Sequence, residues 1–235
     1  DVYCRSYSLS EGFGEELLVT GSPRFEAYAS VAVDRLGRPW VAWEEGDVNW
    51  GKDLGYVLGR NSPGTPLGGA RTIRVVTRQG NQWMSPAPLQ FRDPLEAGST
   101  EIGVPMLYVD PRGNLWLAFK RRYSRAGFRQ SVHWESFLTR LDGTHWTHPV
   151  PLPYSWTRRS VRLGITATSD RLWLFWPHES RHWAFASRPR SNRVLAGSLP
   201  LPEPASEAQL SPWNPPPVEP RPAHPNEATD DAAAR

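Results

Sequence analysis

Short runs of alternating apolar and polar residues recur along this chain, separated by turn-forming residues, as is typical of half-buried β-strands. The clearest run is 30–44, SVAVDRLGRPWVAWE, which predicts a strand, a turn through Gly37 and a second strand. Residues 106–120, MLYVDPRGNLWLAFK, repeat it with Gly113 at the turn, and residues 165–176, ITATSDRLWLFW, form a shorter third copy. Three copies of one hairpin predict a repeat architecture.

A second hairpin with its own signature follows each of the first two copies. Residues 77–83, TRQGNQW, and residues 139–146, TRLDGTHW, both place a threonine before a glycine turn and a tryptophan three residues after the glycine. Each unit therefore offers four short strands in two hairpins, which is the composition of a propeller blade. The sequence predicts an all-β chain, a partial β-propeller of four-stranded antiparallel blades, followed by a Pro-rich extended tail.

The turn residues fit this prediction. Gly37 and Gly113 can adopt a positive φ without steric cost. In the third copy Asp170, three residues before Trp173, is expected to take the same conformation, which Asp tolerates better than most residues.

Composition divides the chain further. Beyond about residue 201 the sequence is rich in Pro, Ala and Glu, and such a stretch buries too little apolar surface to fold alone. The predicted divisions are residues 1–22, the last strands of an incomplete blade; 23–93, a blade with a long loop over 46–70; 94–156 and 157–204, two further blades; and 205–235, a Pro/Ala-rich linker.

Length and charge limit the functional classes. The 235 residues can hold one substantial core, and twelve tryptophans supply large side chains for it. The net charge of +3 is mild and its basic residues are interleaved with acidic ones, so we predict no nucleic-acid partner. No apolar run approaches the roughly 20 residues of a membrane span, and no signal peptide is visible. The single cysteine, Cys4, cannot form an intramolecular disulfide.

The glycine–tryptophan turns resemble degenerate Asp-box turns of the sialidase-like (BNR-repeat) β-propellers. More specifically, residues 23–55, PRFEAYASVAVDRLGRPWVAWEEGDVNWGKDLG, followed by RTIRVV, resemble the propeller that precedes a C-terminal metal-dependent hydrolase domain of the PHP type in secreted bacterial proteins. The tail HPNEATDDAAAR resembles the approach to that domain. The resemblance implies an extracellular or periplasmic, non-catalytic module for ligand binding or domain positioning, whose partner is a downstream catalytic domain of the same polypeptide.

Charged residues after the second strand of each unit are the candidate ligand-binding residues, because in a propeller these loops share one face. Arginine suits carboxylate or phosphate groups and tryptophan suits a sugar face, so a carbohydrate or an anionic ligand is a further candidate partner. The competing interpretation is that these charges are solvated or lock neighbouring blades together as salt bridges. The predicted set is Glu44, Glu45, Trp50, Lys52, Asp53, Arg121, Arg122 and Arg159.

Two sets of residues match catalytic patterns. Residues 178–182, HESRH, match the H-E-x-x-H zinc motif, but the strand-like surroundings would hold the two histidines about 13 Å apart, and a loop with solvated His and Glu is preferred. A sialidase-like site would use residues of the types of Arg121, Arg159, Tyr123 and Glu45, and a sialidase-like carbohydrate-active propeller is the alternative function. We predict no catalytic residue, metal or cofactor in this chain.

Overall fold

The described part of the chain is built from strands. The structure is a computed structural model that describes residues 1–46, 71–91, 101–124, 132–157, 161–179 and 192–215. These residues contain no helix, and hence none long and apolar enough to cross a bilayer. The all-β prediction is confirmed. The strands are β1 (Val2–Cys4), β2 (Tyr7–Ser8), β3 (Gly12–Phe13), β4 (Leu17–Thr20), β5 (Glu26–Val33), β6 (Pro39–Glu45), β7 (Thr72–Gln79), β8 (Gln82–Ser85), β9 (Ile102–Val109), β10 (Leu115–Ser124), β11 (Val132–Asp142), β12 (His145–Trp146), β13 (Val150–Pro151), β14 (Gly164–Ala167), β15 (Arg171–Glu179), β16 (Asn192–Pro200) and β17 (Ser211–Pro212).

Three antiparallel sheets follow one another along the chain. Sheet 1 has the strand order β17–β8–β7–β6–β5, sheet 2 the order β12–β11–β10–β9 with β13 also paired to β11, and sheet 3 the order β14–β15–β16. Ahead of them, β1 pairs with β4 to form the N-terminal sheet, and β2 pairs with β3. Apart from β13, β17 and the pair β1–β4, paired strands are consecutive in the chain, as expected for antiparallel hairpins.

A single carboxylate organises the first turn of sheet 1. Asp34 Oδ1 accepts the backbone N–H groups of Leu36 and Arg38 at 2.9 and 3.0 Å. Its Oδ2 accepts the Arg38 guanidinium at 2.8 Å and the indole N–H of Trp40 at 3.0 Å. The aspartate therefore ties the turn to the first buried tryptophan of β6.

The first turn of sheet 2 repeats this arrangement. Asp110 Oδ1 accepts the backbone N–H groups of Arg112 and Asn114, each at 2.9 Å. Its Oδ2 accepts Asn114 Nδ2 and Trp116 Nε1, also at 2.9 Å. The pattern Asp-x-x-Gly-x-x-Trp, shared by residues 34–40 and 110–116, is thus a turn motif in which the aspartate is the central acceptor.

The glycines of these turns have the predicted backbone conformation, with φ of 75° at Gly37 and 87° at Gly113. The expectation of a positive φ at Asp170 is wrong. The third turn is shorter, since the Thr168 N–H donates to Arg171 O at 2.9 Å, and neither residue between them has a positive φ. Asp170 instead accepts the Thr168 hydroxyl at 2.8 Å.

A β-bulge occurs at the same place in the first strands of sheets 1 and 2. Tyr28 and Ala29 of β5 lie opposite Trp43, and the next sheet repeats this with two residues of β9 opposite one of β10. Tyr28 has φ 56° and Val104 of β9 has φ 54°. A positive φ is unfavourable for a β-branched residue, so tertiary contacts must hold this bulge.

The sheets stack face to face, with an apolar layer at each interface. Because side chains alternate along a strand, Trp40 faces sheet 2 while Trp43 faces the N-terminal sheet. Trp116 repeats the role of Trp40 and faces sheet 3. The three layers contain Val2, Val19, Val41, Trp43 and Val76; Trp40, Ala42, Ile73, Val75, Leu107, Phe119 and Phe137; and Trp116, Ala118, Leu138, Leu163, Leu172, Leu174 and Trp176.

Polar contacts link each sheet to the next at the end where the first turns lie. Arg35 in the first turn of sheet 1 donates to Pro111 O in the first turn of sheet 2. Arg112, in that second turn, donates to Leu201 O at 3.0 Å, and the Leu201 N–H donates to Asp170 O in the third turn at 2.8 Å. The three turns are therefore joined in sequence.

Tryptophans in the outer strands of sheets 1 and 2 make the contacts from each sheet to the preceding one. The indole N–H of Trp83 in β8 donates to Leu18 O in the N-terminal sheet at 2.9 Å. The indole N–H of Trp146 in β12 donates to Ala87 O, just beyond β8, at 3.1 Å. Each of these tryptophans thus binds the outer segment of the preceding sheet.

Residues 201–215, which we name the tail strap, run back across the outer edges of the sheets. Ala205 N donates to Asn114 Oδ1 at 2.7 Å, and Ser206 N donates to Asp142 Oδ1 at 3.1 Å. The strap then pairs with β8 through β17, and Trp213 packs edge-on against Trp43 with ring centroids 5.7 Å apart. Residues 205–215 of the predicted linker therefore differ from that prediction, because backbone pairing at a sheet edge requires little apolar surface; residues 216–235 lie outside the described residues.

Candidate functional site

The strand ends opposite the three turns carry the charged residues. We name this end the strand-end face; it is where the second strand of each sheet ends and the third begins. The terminal pairs are Glu45 with Thr72 in sheet 1, Ser124 with Val132 in sheet 2, and Glu179 with Asn192 in sheet 3. The connections from β6 to β7, from β10 to β11 and from β15 to β16 all begin here.

Glu44 is a carboxylate of this face whose side chain is fully buried. Its Oε1 pairs with Arg71 Nη1 at 2.7 Å, and its Oε2 accepts the backbone N–H of Val104 at 3.2 Å. The Arg71 guanidinium in turn lies 4.2 Å from the centre of the Phe25 ring. Glu44 therefore connects sheet 1 to the strained bulge of sheet 2.

Glu45 points to the opposite side of sheet 1, because it is the next residue in the same strand. Its Oε1 accepts both Nε and Nη2 of Arg74, at 3.0 and 2.8 Å. The Arg74 guanidinium lies 5.6 Å from the Trp213 ring centre. Glu45 Oε2 is buried without a hydrogen-bond partner among the described residues. This carboxylate belongs to the layer between sheet 1 and the N-terminal sheet.

A third glutamate, Glu26, lies directly across from Glu45 on β5. Two like charges in such a pair repel each other. Glu26 Oε1 accepts the hydroxyls of Thr20 and Ser22 at 2.7 and 2.8 Å, and the Asp1 nitrogen lies 3.4 Å from Oε2. Donors around Glu26 and the Arg74 guanidinium on Glu45 together offset the repulsion.

Sheet 2 presents a further ion pair and a buried arginine. Arg122 pairs with the Glu101 carboxylate, and its backbone N–H donates to Glu101 O at 3.0 Å. The Arg121 side chain is buried on the other face, with its guanidinium 5.0 Å from the Phe91 ring centre and 5.2 Å from that of Tyr123. Cation–π contacts of this kind hold an arginine in an apolar layer.

The described members of the predicted ligand-binding set do not meet in one pocket. Alternation along β6 and β10 places Glu44 and Arg121 between sheets 1 and 2, Glu45 on the side of the N-terminal sheet, and Arg122 on the side of sheet 3. Each has a contact within the protein: Glu44, Glu45 and Arg122 are in ion pairs, and Arg121 lies against aromatic rings. The other predicted members lie outside the described residues: Trp50, Lys52, Asp53 and Arg159.

Sequence reasoning missed the residues that neutralise these carboxylates, namely Arg71 and Arg74, and it missed Glu101. The available signal was that the apolar run of β6 ends in two acidic residues, while arginines lie three positions apart at the start of the following strand and so fall on its opposite faces. A buried charge needs a partner, so charges at matching strand ends predict cross-strand ion pairs.

The H-E-x-x-H segment is not helical where it is described. His178 and Glu179 continue β15 and pair with Arg193 and Asn192 of β16, so the expected loop begins later than predicted. His178 Nδ1 lies 2.8 Å from Tyr154 O. His182 lies outside the described residues, and within the part of the chain that is described no three His, Cys, Asp or Glu side chains come together as a metal site.

The residue pair that a sialidase-like mechanism would need is separated. Tyr123 stacks on Phe137 in the layer between sheets 1 and 2, with ring centroids 6.4 Å apart. Glu45 lies on the far face of sheet 1, beside Arg74. The structure therefore does not place Glu45 where it could activate Tyr123.

Comparison with known proteins adds no assignment to this geometry: no protein-family model matches the chain, and no match is found among curated proteins.

Proposed function

We propose that this chain is a non-catalytic module built as part of a β-propeller, in which the N-terminal sheet and sheets 1, 2 and 3 are consecutive blades. Its role is to bind a ligand or to position the catalytic domain of a larger secreted hydrolase. The Asp-box-like turns and the resemblance of residues 23–55 motivate this proposal.

The observation that carries the proposal is the repetition of the inter-sheet contacts. In sheets 1 and 2, an arginine of the first turn (Arg35, Arg112) contacts the segment that follows in the stack. In the same two sheets, a tryptophan of the outer strand (Trp83, Trp146) contacts the sheet that precedes in the stack. The same bulge also occurs in β5 and β9. Sheets that meet their neighbours through similar contacts in one direction are typical of repeat architectures, of which the propeller is one.

The charges of the strand-end face support a non-catalytic role. Glu44 and Glu101 are held by arginines, and both oxygens of Glu44 accept hydrogen bonds. A general base must reach the proton that it removes, and these carboxylates instead join strands and sheets. The strand-end face thus serves as a rigid base for the connections that begin on it, which is where propellers commonly bind ligands.

The proposal is tested with the purified chain on an array of sialylated and neutral glycans, together with an assay of sialoside hydrolysis. If the module binds a glycan, Trp50→Ala should abolish binding, because a tryptophan in a strand-end connection would supply the stacking surface. Leu36→Ala, an exposed position in the opposite turn, is the matched control and should leave binding unchanged.

A blank array would indicate the positioning role, and substitution of Glu45 or Lys52 would then leave the array unchanged as well. Turnover of sialosides that is lost in Tyr123→Phe would contradict the non-catalytic proposal and would favour the sialidase-like alternative.

A further inference from the structure

Two equivalent hairpin turns differ in whether the tail strap covers them. Gly80 directly follows β7 and Gly143 directly follows β11, with φ of 56° and 58°. Gly80 is exposed, and apart from its chain neighbours none of the described atoms lies within 4 Å of the position that a methyl group there would take. Gly143 is buried, and the nearest atom to the same position is Ser206 Cβ at 3.4 Å. The tail strap therefore packs on the turn of sheet 2 and leaves the turn of sheet 1 open.

Hydrogen bonds from the tail strap engage both residues at the start of the covered turn. Ser206 N donates to Asp142 Oδ1 at 3.1 Å, and Gly143 N donates to Ser206 O at 3.3 Å. Gln209 N donates to Gly143 O at 3.1 Å, and Arg140 Nη2 lies 3.4 Å from Asp142 Oδ2. The carboxylate of Asp142 and the amide nitrogen that follows it are thus both occupied by contacts within the protein.

An aspartate followed by glycine has a reaction of its own. The amide nitrogen of the glycine bonds to Cγ of the aspartate, and the amide hydrogen leaves with the carboxyl hydroxyl as water, which gives a cyclic imide. Water then opens the imide at either carbonyl carbon and yields aspartate or isoaspartate, in which the backbone runs through the former side chain. Glycine favours this reaction because its backbone is the least restricted. Asp142–Gly143 is the only step in the sequence where Asp or Asn precedes Gly.

The covered turn opposes this reaction while the tail strap is bound. The Gly143 N–H points at Ser206 O, and the Asp142 carboxylate accepts from Ser206 N, so both contacts must break before the nitrogen can reach Cγ. The reaction therefore proceeds from the minor population in which the strap is detached, and its rate follows that population.

We propose that Asp142–Gly143 is a site of aspartate isomerisation that the tail strap controls, and that the strap and the turn together form a one-way release device. Detachment of the strap admits cyclisation. Isoaspartate then adds a methylene group to the backbone, which displaces the Gly143 N–H and C=O from Ser206 and Gln209, and the strap does not return. Its release uncovers the edge of β8 that Ser211–Pro212 occupies. This inference does not rest on the proposed function.

The test uses the full chain with Gln79→Asp, which places a second Asp-Gly step in the uncovered turn. Gln79 is exposed, so the change should leave the fold intact. The protein is aged at neutral pH, and isoaspartate at positions 79 and 142 is measured by peptide mapping with mass spectrometry. Each rate is divided by that of a synthetic peptide of the same local sequence, residues 76–84 with the same change or residues 139–147. We expect the normalised rate at position 142 to be at least about tenfold below that at position 79.

Loosening the tail strap should remove the difference. Trp213→Ala, added to Gln79→Asp, should speed isomerisation at position 142 by at least about fivefold, because the detached strap becomes more populated. The rate at position 79 should not change, and it reports within the same molecule that the fold is retained. Glu203→Ala is the matched control in the strap, since that side chain is 92% exposed, and it should alter neither rate.

Aged wild-type protein tests whether the release is one-way. Molecules that carry isoaspartate at position 142 are separated from unmodified ones, and we expect limited proteolysis to cut their residues 205–215 first. Equal protection of the two fractions would overturn the inference. So would equal normalised rates at positions 79 and 142, or a Trp213→Ala variant in which position 142 does not accelerate relative to position 79.

Discussion

The carboxylate of Glu44 occupies the space that a side chain at position 103 of β9 would fill. Because Gly103 has no side chain, this residue of sheet 1 reaches the backbone of sheet 2. This contact places Glu44 Oε2 on the N–H of Val104 while Oε1 stays on Arg71. The buried ion pair and the strained bulge therefore depend on the same glycine.

We predict that Gly103→Ala strongly destabilises the protein. The added methyl group would displace the Glu44 carboxylate and leave a buried charge without its partners, a change that costs about 3–5 kcal/mol in other proteins. Urea unfolding followed by tryptophan fluorescence measures the loss. Gly164→Ala is the matched control, because the nearest atom to its new methyl group is Phe175 Cβ at 3.7 Å, an ordinary contact. Equal stability of the two variants would refute the role assigned to Gly103.

The acceptor role of Asp110 gives a second prediction. Asp110→Ala should cost about 3–5 kcal/mol, since Asn114 and Trp116 would keep buried donors without an acceptor. Asp110→Asn should recover only part of this loss, because its amide N–H would meet one of the donors. Asp170→Ala removes an exposed aspartate from the equivalent third turn and should cost less than about 1 kcal/mol. Thermal unfolding of the three variants ranks them, and a harmless Asp110→Ala would contradict the motif.

Asp34 predicts a dependence of stability on pH. Partial burial raises the pKa of its carboxyl, but hydrogen bonds from the Trp40 indole and from the Arg38 backbone and side chain outweigh burial and lower the pKa below its ordinary value. A pKa that is lower in the folded state contributes stability above the unfolded value of about 4 and loses it as the pH falls toward the folded value. The stability difference between wild type and Asp34→Asn should therefore be largest near neutral pH and shrink below about pH 4. A difference that stays constant or grows on acidification would contradict this assignment.

The structural features that the sequence predicts are those set by contacts between residues close together in the chain. The hairpins, the positive φ of Gly37 and Gly113 and the all-β class follow from local alternation and turn chemistry. The Asp-x-x-Gly-x-x-Trp spacing was also visible, although it did not show that the aspartate binds the tryptophan.

The remaining features depend on contacts between distant residues. Nothing in the local sequence marks Val104 as a left-handed residue, because its conformation is held by Glu44, 60 positions earlier. Likewise, the composition of the tail suggests a linker. The pairing of Ser211–Pro212 with β8 depends on the open edge of that strand, which lies far away in the sequence. Of the predicted candidate site, the described members Glu44, Glu45, Arg121 and Arg122 lie near strand ends, and alternation places them in different layers.

The tail strap provides the fourth prediction. Trp213→Ala should make residues 205–215 susceptible to limited proteolysis and lower the free energy of unfolding by about 1–3 kcal/mol, because it removes the edge contact with Trp43 and the cation contact with Arg74. Glu203→Ala is the control in the same segment, since that side chain is 92% exposed. Cleavage at equal rates in both variants would show that Trp213 does not hold the strap.

The contacts made by Arg35 and Arg112 toward the following sheet, and by Trp83 and Trp146 toward the preceding one, give the stack a head and a tail. Sheets 1 and 2, which have a described neighbour on each side, therefore meet unlike surfaces on their two sides. A duplicated unit inserted between sheets 1 and 2 would therefore find a matching neighbour on both sides, and a chain of this kind can gain or lose whole units during evolution without redesign of its interfaces.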